Sequence, residues 1–305
     1  MPRSTNSDYE LDELFDKIPR LNNRVKVSEL SGGLTNRNLR IQTPDGDYVA
    51  RISSNTSALL SIDRFAEYEN SKIAAEIGIG APVHDFYPDF GLLIINFLQG
   101  KTFTASDVAN NLPRIAESVR KLHSAQPFVS DFDMFVIKQR YLKIVQDHKF
   151  RMPDKYLDYS DYLTNMRRAL AILDDGKVPC NNDLLAANFM DDGNQIWLID
   201  YEYSGNNDAC FELGNIYSES ALSYEQLIEL VDAYYGKHRP EKIARAWLYA
   251  LLARYGWTLW ASIQSSISKI EFDFWEWGME KYETAQSDFA SLQFEEALSA
   301  VTTES

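Results

Sequence analysis

Two carboxylates and an amide near the middle of the chain have the types and spacing that phosphoryl transfer requires. Asp183 is followed five positions later by Asn188, and Asp200 comes after a short apolar run. In kinase-type phosphotransferases, one carboxylate orients the acceptor hydroxyl, while an amide and a second carboxylate bind Mg²⁺ against the ATP phosphates. Mg²⁺ prefers hard oxygen ligands. The pattern predicts Asp183 as the catalytic base and Asn188 and Asp200 as metal ligands.

A simpler interpretation of these residues is a polar turn, because Asn and Asp are common in turns between strands. Taken alone, the spacing favours that turn. A second pattern, Ser-Gly-Gly-Leu-Thr-Asn at residues 31–36, lies between two strand-like runs. A loop in this position can present backbone N–H groups to phosphates. The candidate ATP contacts in this loop are Ser31, Gly32, Gly33, Thr35 and Asn36.

A third pattern is a strand arginine followed by an acidic helix. Arg51 stands where a kinase strand carries its phosphate-pairing lysine. A guanidinium can do this work through charge-assisted bonds, although an isolated strand arginine is more often an exposed cation. Glu67 and Glu69 are the possible ion-pair partners, and they point to different helix faces. We predict that Glu67 faces Arg51.

These residues need a scaffold, and the hydrophobic periodicity indicates one. Alternation predicts strands at 25–30, 37–42, 47–52, 84–87 and 91–97, with one helix at 62–77. Helical spacing then predominates at 112–123, 134–147, 156–173, 224–235 and 240–268, with 178–203 as strand and loop. We predict a β-rich lobe at 1–96 and a helical lobe at 97–305, whose acidic tail frays from about residue 292.

Composition limits the class of protein. The 305 residues are 45% hydrophobic and 25% charged, which suits one large or two modest domains. A net charge of −15 argues against nucleic acid as a partner. Neither an apolar run of ~18 residues nor a signal-peptide core is present, so membrane insertion is not expected. Two cysteines and four scattered histidines argue against disulfides and zinc, and favour a cytoplasmic location.

Aromatic residues are dense after residue 254. Trp257 and Trp260 are three apart and share a helix face, and Phe272 and Trp277 follow. Packing in a helical core explains most of these rings. Aromatic faces also attract ammonium groups, so part of this cluster is a candidate cation site.

Together these residues resemble the choline/ethanolamine kinase family, a branch of the aminoglycoside-phosphotransferase and protein-kinase-like superfamily. The resemblance runs from about residue 26 to 282. Its closest motifs lie at 182–184 and 199–203, and a further family block follows at 211–215. It implies a bilobal α+β protein-kinase-like fold, with a small antiparallel β lobe containing one helix and a larger helical lobe. It also implies ATP and Mg²⁺ as cofactors, with adenine at the hinge 96–100 (Asn96 and Leu98) and Glu202 assisting the metal or its waters.

For the acceptor, the resemblance implies an ammonium cage. Its rings would be Trp257, Trp260, Phe272 and Trp277, with Tyr224 as a further aromatic residue and Glu219 as the carboxylate that contacts the cation. Trp277 stands where many family members have Tyr, which favours choline over ethanolamine. Asn181 stands where the family usually has His. Asn supplies hydrogen bonds without an imidazole ring, so we expect activity to survive.

The sequence thus predicts ATP-dependent phosphorylation of a small amino alcohol, with choline first. Ethanolamine, thiamine and aminoglycosides are alternative acceptors, although the dense aromatic segment disfavours a wide aminoglycoside site. An inactive nucleotide- or amine-binding pseudokinase is the alternative from another class. A purely structural helical protein would leave three ordered motif matches to chance. The oligomeric state stays open.

Overall fold

An antiparallel sheet forms the first part of the computed structural model, which describes residues 8–30, 33–53 and 59–303. Its strands are β1 (Lys26–Leu30), β2 (Asn36–Thr43), β3 (Gly46–Ser53), β4 (Val83–Tyr87) and β5 (Leu92–Asn96), in the order β1-β2-β3-β5-β4. Alternate residues such as Leu39 and Ile41 on β2 and Ala50 and Ile52 on β3 are buried. This period of two places one face of the sheet on a core.

Two helices accompany this sheet, where the sequence predicts one. The predicted helix is α2 (Arg64–Glu76), and its N-cap Asp63 accepts hydrogen bonds from the backbone N–H groups of residues 65 and 66. The additional helix, α1 (Asp8–Asp16), buries Leu11, Leu14 and Phe15 in the sheet core. Their spacing of three and four residues gives α1 an apolar stripe within an otherwise acidic segment.

The remainder of the described chain is mainly helical. Its helices are α3 (Ala105–Ala109), α4 (Leu112–His123), α5 (Met134–His148), α6 (Ser160–Leu170), α7 (Ala209–Glu219), α8 (Tyr224–Tyr235), α9 (Pro240–Ile267), α10 (Phe274–Phe289) and α11 (Leu292–Ala300). Short strands β6 (Lys101–Thr102), β8 (Phe189–Asp191) and β9 (Ile196–Leu198) form one sheet, and β7 (Val178–Cys180) pairs with β10 (Gly205–Asn207). This mixed architecture is the predicted α+β class.

The buried helix α9 organises the helical part. It packs against α5, α7 and α10, and most of its residues are buried, including Trp257 and Trp260. The larger core extends from Leu60 to Val301, so it includes residues on both sides of position 96. No helix in the described ranges is both long and apolar enough to span a membrane.

The predicted fraying from about residue 292 is wrong for most of the tail. Ser291 caps α11 by accepting a hydrogen bond from the Phe294 backbone N–H. The Phe294 ring is buried and packs 5.5 Å from the Phe289 ring and 5.6 Å from the Tyr162 ring, measured between centroids. Burial of this ring anchors a segment whose acidic residues suggest fraying.

Candidate active site

The predicted catalytic loop, residues 181–188, follows β7 and is held by its own side chains. Asn182 has a left-handed backbone, with φ of 67°, and the half-buried Asp183 follows it. The Asn188 side-chain amide donates to the Asp183 backbone carbonyl at 2.7 Å. The Ile199 backbone N–H donates to the Asn188 carbonyl at 3.0 Å, which places Asn188 beside the segment that carries Asp200.

Asn181 braces both sides of this site. Its side-chain oxygen accepts from the Asp183 backbone N–H at 3.1 Å, and its amide donates to the carbonyls of Ile199 and Asp200 at 3.2 and 2.9 Å. Asp200 itself has a left-handed φ of 63°. Such backbones cost energy in non-glycine residues and persist where their surroundings hold them. Asn181 therefore supplies the bracing hydrogen bonds expected at this position.

A buried acidic residue anchors the loop from beneath. The Glu212 carboxylate accepts from the backbone N–H groups of Asn181 and Asn182 at 2.8 and 2.7 Å. Burial raises the pKa of Glu212 to about 7, although those two hydrogen bonds oppose the shift. His123 and Cys180 complete a buried cluster in which the three possible ligand atoms lie within 4.8 Å of one another. Because both Glu212 oxygens hold backbone N–H groups, we assign Glu212 to loop anchoring.

The strand cation faces the expected helix residue. Arg51 donates to Glu67 at 3.1 Å, whereas Glu69 pairs with Lys72 at 3.0 Å. Arg51 also donates to the Asp200 carboxylate at 2.6 Å. Burial opposes the charged guanidinium, but the two carboxylates outweigh it, so the pKa of Arg51 is raised. Arg51 therefore joins α2 to a predicted metal ligand.

Arg64 belongs to the site although no sequence motif indicates it. Its guanidinium donates to Glu67 at 2.7 Å, to Glu202 at 3.2 Å and to the Asn36 side-chain oxygen at 2.9 Å. The Asn36 amide in turn donates to Glu202 at 2.9 Å. The available signal is that Arg64 lies three residues before Glu67 and hence on the same helix face. Arg51 and Arg64 thus form ion pairs that link the sheet, α2 and the segment that carries Asp200 and Glu202.

Carboxylates are crowded around the catalytic loop. Burial and then the neighbouring Asp200 and Glu202 raise the pKa of Asp183 well above its usual range. Burial and Asp200 likewise raise the pKa of Glu202. Such a set is stabilised by added positive charge. Asn188, Asp200 and Glu202 offer amide and carboxylate oxygens, the hard donors that Mg²⁺ takes, so these residues fit the predicted metal.

Two compartments meet at Asp200. The first is lined by Arg51, Glu67, Ser71, Ala81, Leu93, Ile95, Ile199, Asp200 and Tyr201. The second is lined by Gly33, Leu34, Thr35, Asp183, Leu185, Ala187, Asn188, Asp200, Glu202, Tyr203, Glu219, Trp257, Trp260 and Trp277. The first combines a paired cation with apolar walls, and the second combines acids with aromatic walls. Asp200, a predicted metal ligand, stands at their junction, which suits transfer of a group between two bound molecules.

Aromatic rings at steep angles form the walls of the second compartment. The Trp257 and Trp260 planes meet at 84°, and those of Trp260 and Trp277 meet at 65° with centroids 5.6 Å apart. The Tyr203 ring lies 5.0 Å from Trp257, and its hydroxyl accepts from the Trp260 indole N–H at 2.8 Å. Glu219 ends α7 beside these rings. This arrangement of π-faces and a carboxylate can hold a cation.

The glycine-containing loop borders the same compartment. A Cβ on Gly33 would lie only 2.7 Å from the Asn36 carbonyl oxygen, so the close turn requires glycine. The Gln264 side chain of α9 donates to the Leu34 carbonyl at 3.1 Å and ties the loop to the aromatic wall. Ser31 and Gly32 lie outside the described residues.

Five predicted contacts are not among the lining residues of either compartment. One is Asn36, which instead hydrogen-bonds to Glu202 and Arg64. Asn96 ends β5 and Leu98 follows it in the hinge, next to but not among the lining residues. Phe272 precedes α10, is 42% exposed and packs its ring on Phe274. Tyr224 begins α8 and is 39% exposed. The family resemblance implies Phe272 and Tyr224 as acceptor contacts, but their exposed rings do not line the compartment.

Comparison with known proteins agrees with this geometry. The model of the choline/ethanolamine kinase family matches residues 27–234. A probable ethanolamine kinase from Arabidopsis thaliana is 24% identical over 300 residues, covering 86% of this chain and 79% of the relative. The crystal structure of a choline/ethanolamine kinase family protein from Mesorhizobium loti aligns with a TM-score of 0.84 and 28% identity, covering 96% of this chain and 98% of that one.

A choline kinase, LicA from Streptococcus pneumoniae, has the same fold, with a TM-score of 0.81 at 22% identity over 92% of this chain and 99% of that one. The fold and the site thus define a small-molecule kinase of the protein-kinase-like class. The chain belongs to the choline/ethanolamine kinase family. The predicted family and fold class are therefore confirmed.

Proposed function

We propose that this kinase transfers the γ-phosphoryl group of Mg·ATP to the hydroxyl of choline, giving phosphocholine and ADP. One observation carries the choice of acceptor. The compartment that contains Asp183 is walled by Trp257, Trp260 and Trp277, and its lining also includes the carboxylates of Asp200, Glu202 and Glu219. A quaternary ammonium needs π-faces and nearby negative charge, and this compartment offers both.

Asp183 would act on the acceptor hydroxyl. As the hydroxyl oxygen forms its bond to the γ-phosphorus, the bond from that phosphorus to the oxygen of ADP breaks, and the Asp183 carboxylate takes the hydroxyl proton. Asn181 and Glu212 position the loop for this step through the backbone N–H bonds described above. Positioning of this kind is the main contribution that a protein makes to phosphoryl transfer.

Arg51 and the loop at 33–36 would hold the nucleotide. Arg51 lines the first compartment, whose apolar residues Ala81, Leu93 and Ile95 suit a purine, and its guanidinium suits phosphate oxygens. Asn188, Asp200 and Glu202 would hold Mg²⁺, which when bound offsets charge on the phosphates. We propose residues 1–96 as the nucleotide-binding lobe and 97–305 as the lobe with the catalytic loop and acceptor site.

The cellular setting is part of the proposal. Cys180 and Cys210 are both buried free thiols, which supports a reducing, cytoplasmic location. Negative net charge and the compact acceptor compartment support a small cationic molecule as the partner rather than a nucleic acid.

A coupled assay of ADP release tests the function. Purified protein with Mg·ATP is presented with choline, ethanolamine, thiamine and kanamycin, and choline should give the highest kcat/KM. Asp183→Ala should lower kcat by roughly 10²–10⁴-fold while ATP binding, measured by calorimetry, persists. ADP release that does not depend on any amino alcohol would refute the proposal. Wild-type kcat in the Asp183 variant would remove this residue from the mechanism.

A further inference from the structure

The Glu219 carboxylate already has a cationic partner within the protein. The Lys281 ammonium donates to both Glu219 oxygens, at 2.7 and 2.8 Å. The Lys281 side chain is only 11% exposed, and the Glu219 side chain is only 8% exposed. The charge-assisted hydrogen bonds of such a shielded pair are strong. Removing one partner alone is costly because it leaves the other charge buried without compensation.

Lys281 also occupies an aromatic face. Its ammonium nitrogen lies 4.3 Å from the centroid of the Trp277 ring, within the range of a cation–π contact. Trp277 and Lys281 are four residues apart on α10 and therefore share a helix face. Lys281 thus holds both oxygens of the carboxylate and contacts one face of the Trp277 ring, which also lines the compartment.

Primary and quaternary ammonium groups respond differently to this arrangement. A primary ammonium carries three N–H donors, and burying it without acceptors is costly. A quaternary ammonium has no N–H donor and needs only π-faces and negative charge nearby. Resting on the proposed function, we propose that Lys281 is a specificity-determining residue: by occupying both Glu219 oxygens, it favours quaternary over primary amino alcohols.

The other acids of the compartment do not replace Glu219 as hydrogen-bond acceptors for the amine. The acceptor hydroxyl must lie at Asp183, so the amine lies beyond the two-carbon linker. Glu202 accepts from Arg64 and Asn36 through one carboxylate oxygen, and Asp200 accepts from Arg51 through one. The remaining oxygens of these two proposed metal ligands would be taken by Mg²⁺ rather than by the amine. The rings of Trp257, Trp260, Trp277 and Tyr203 are the walls for a methylated ammonium.

Substitution of Lys281 tests this role. Lys281→Met removes the donors and the charge at similar side-chain length, and it frees both Glu219 oxygens. The kcat/KM for ethanolamine should then rise about tenfold relative to that for choline, since a hydrogen bond to a charged group discriminates by about this factor. Lys281→Arg keeps charge and donors and should retain the wild-type preference.

Lys143→Met is the matched control, because Lys143 is an exposed lysine that pairs with Asp147 on α5. Melting temperatures are measured for every variant. If Lys281→Met does not fold, Lys281→Gln retains a neutral amide donor near Glu219 and should shift the preference in the same direction by a smaller factor. An unchanged ratio of the two kcat/KM values in the folded variant would overturn the role of Lys281.

The wild-type protein separates this inference from the proposed function. Absence of turnover with every amino alcohol would refute the function itself. Turnover with a preference for ethanolamine would keep the phosphotransferase and overturn the role of Lys281. Preference for choline that weakens in Lys281→Met but not in Lys143→Met is the expected result.

Discussion

The side chain of Asn181 donates a hydrogen bond to the backbone carbonyl of Asp200 at 2.9 Å, joining two segments that approach the site from different strands. The same side chain accepts from the Asp183 backbone N–H at 3.1 Å. One amide therefore sets the relative position of the proposed base and a proposed metal ligand. In phosphoryl transfer this relative position is decisive, because the acceptor oxygen and the phosphates must be aligned.

Asn181→Ala should therefore lower kcat by more than its effect on the free energy of unfolding would explain. Removing the amide leaves the Asp183 N–H and the Asp200 carbonyl without this partner, and we expect kcat to fall by roughly tenfold to a hundredfold. The kinetic assay should be run beside thermal unfolding. Asn110→Ala, at an exposed asparagine after α3, is the control and should leave kcat unchanged. An Asn181→Ala variant with wild-type kcat would show that the brace is not needed.

Asp200→Asn should raise the Mg²⁺ concentration needed for activity and lower kcat by about a hundredfold or more. The substitution keeps the shape but removes the charge that binds the metal, and it also weakens the contact with Arg51. A titration of activity against Mg²⁺ at saturating ATP measures both effects.

Asp192→Asn is the matched control for this titration. Asp192 lies in the turn between β8 and β9 and accepts from backbone N–H groups there, away from both compartments. It should titrate as the wild type does. If Asp200→Asn also gave the wild-type Mg²⁺ dependence, the metal would have to bind elsewhere.

Trp277 separates acceptor binding from core packing better than Trp257 does. Trp257 is buried and also contacts Phe132, so its loss would affect stability as well. Trp277 is half-buried and lines the compartment. Trp277→Ala should raise the KM for choline roughly thirtyfold, the value of a cation–π contact of ~2 kcal/mol, with little change in the KM for ATP.

A neighbouring tryptophan provides the control. Trp275 lies on the same helix under the Arg151 guanidinium, 3.7 Å from the ring centroid, and is not a lining residue. Trp275→Ala should leave the KM for choline unchanged. Equal effects of the two substitutions on choline and ATP would indicate that Trp277 acts only through the fold.

Short-range patterns predict much of this molecule. The α4 bounds 112–123 and the α8 bounds 224–235 agree with helical spacing, and Asp183 and Asn188 are joined within one loop. These features depend on residues a few positions apart, where periodicity and turn chemistry are informative. Glu67 rather than Glu69 faces Arg51 for the same reason, since two positions on a helix point to different faces.

Long-range contacts explain what the sequence does not predict. Lys281 and Glu219 are 62 positions apart, and Arg64 and Glu202 are 138 apart. No local period links such pairs, so their meeting depends on how the helices pack. The same limit applies to α1 and α11, whose acidic residues indicate exposure while a few apolar residues bury one face in a core built from distant segments.

The buried pair of His123 and Glu212 predicts an unusual dependence of stability on pH. Burial lowers the pKa of His123 to about 3, against about 6.5 in an unfolded chain. Between these pH values only the unfolded state binds the proton. The contribution of the neutral His123 to the stability of the fold is therefore lost as pH falls from ~6.5 towards ~3. Glu212 acts in the opposite sense, because its pKa of about 7 lets the folded state take up a proton first.

In the wild-type protein these two contributions largely cancel between pH ~7 and ~5. His123→Gln removes only the contribution of His123. When the pH is lowered from ~7.5 to ~5, the free energy of unfolding of the variant should therefore change by ~2 kcal/mol more in the stabilising direction than that of the wild type. Denaturant unfolding at the two pH values measures this difference, whatever the overall cost of the substitution. His148→Gln, at an exposed histidine, should show no such gain. If the free energies of unfolding of His123→Gln and wild type differed by the same amount at both pH values, His123 would not be held neutral in the fold.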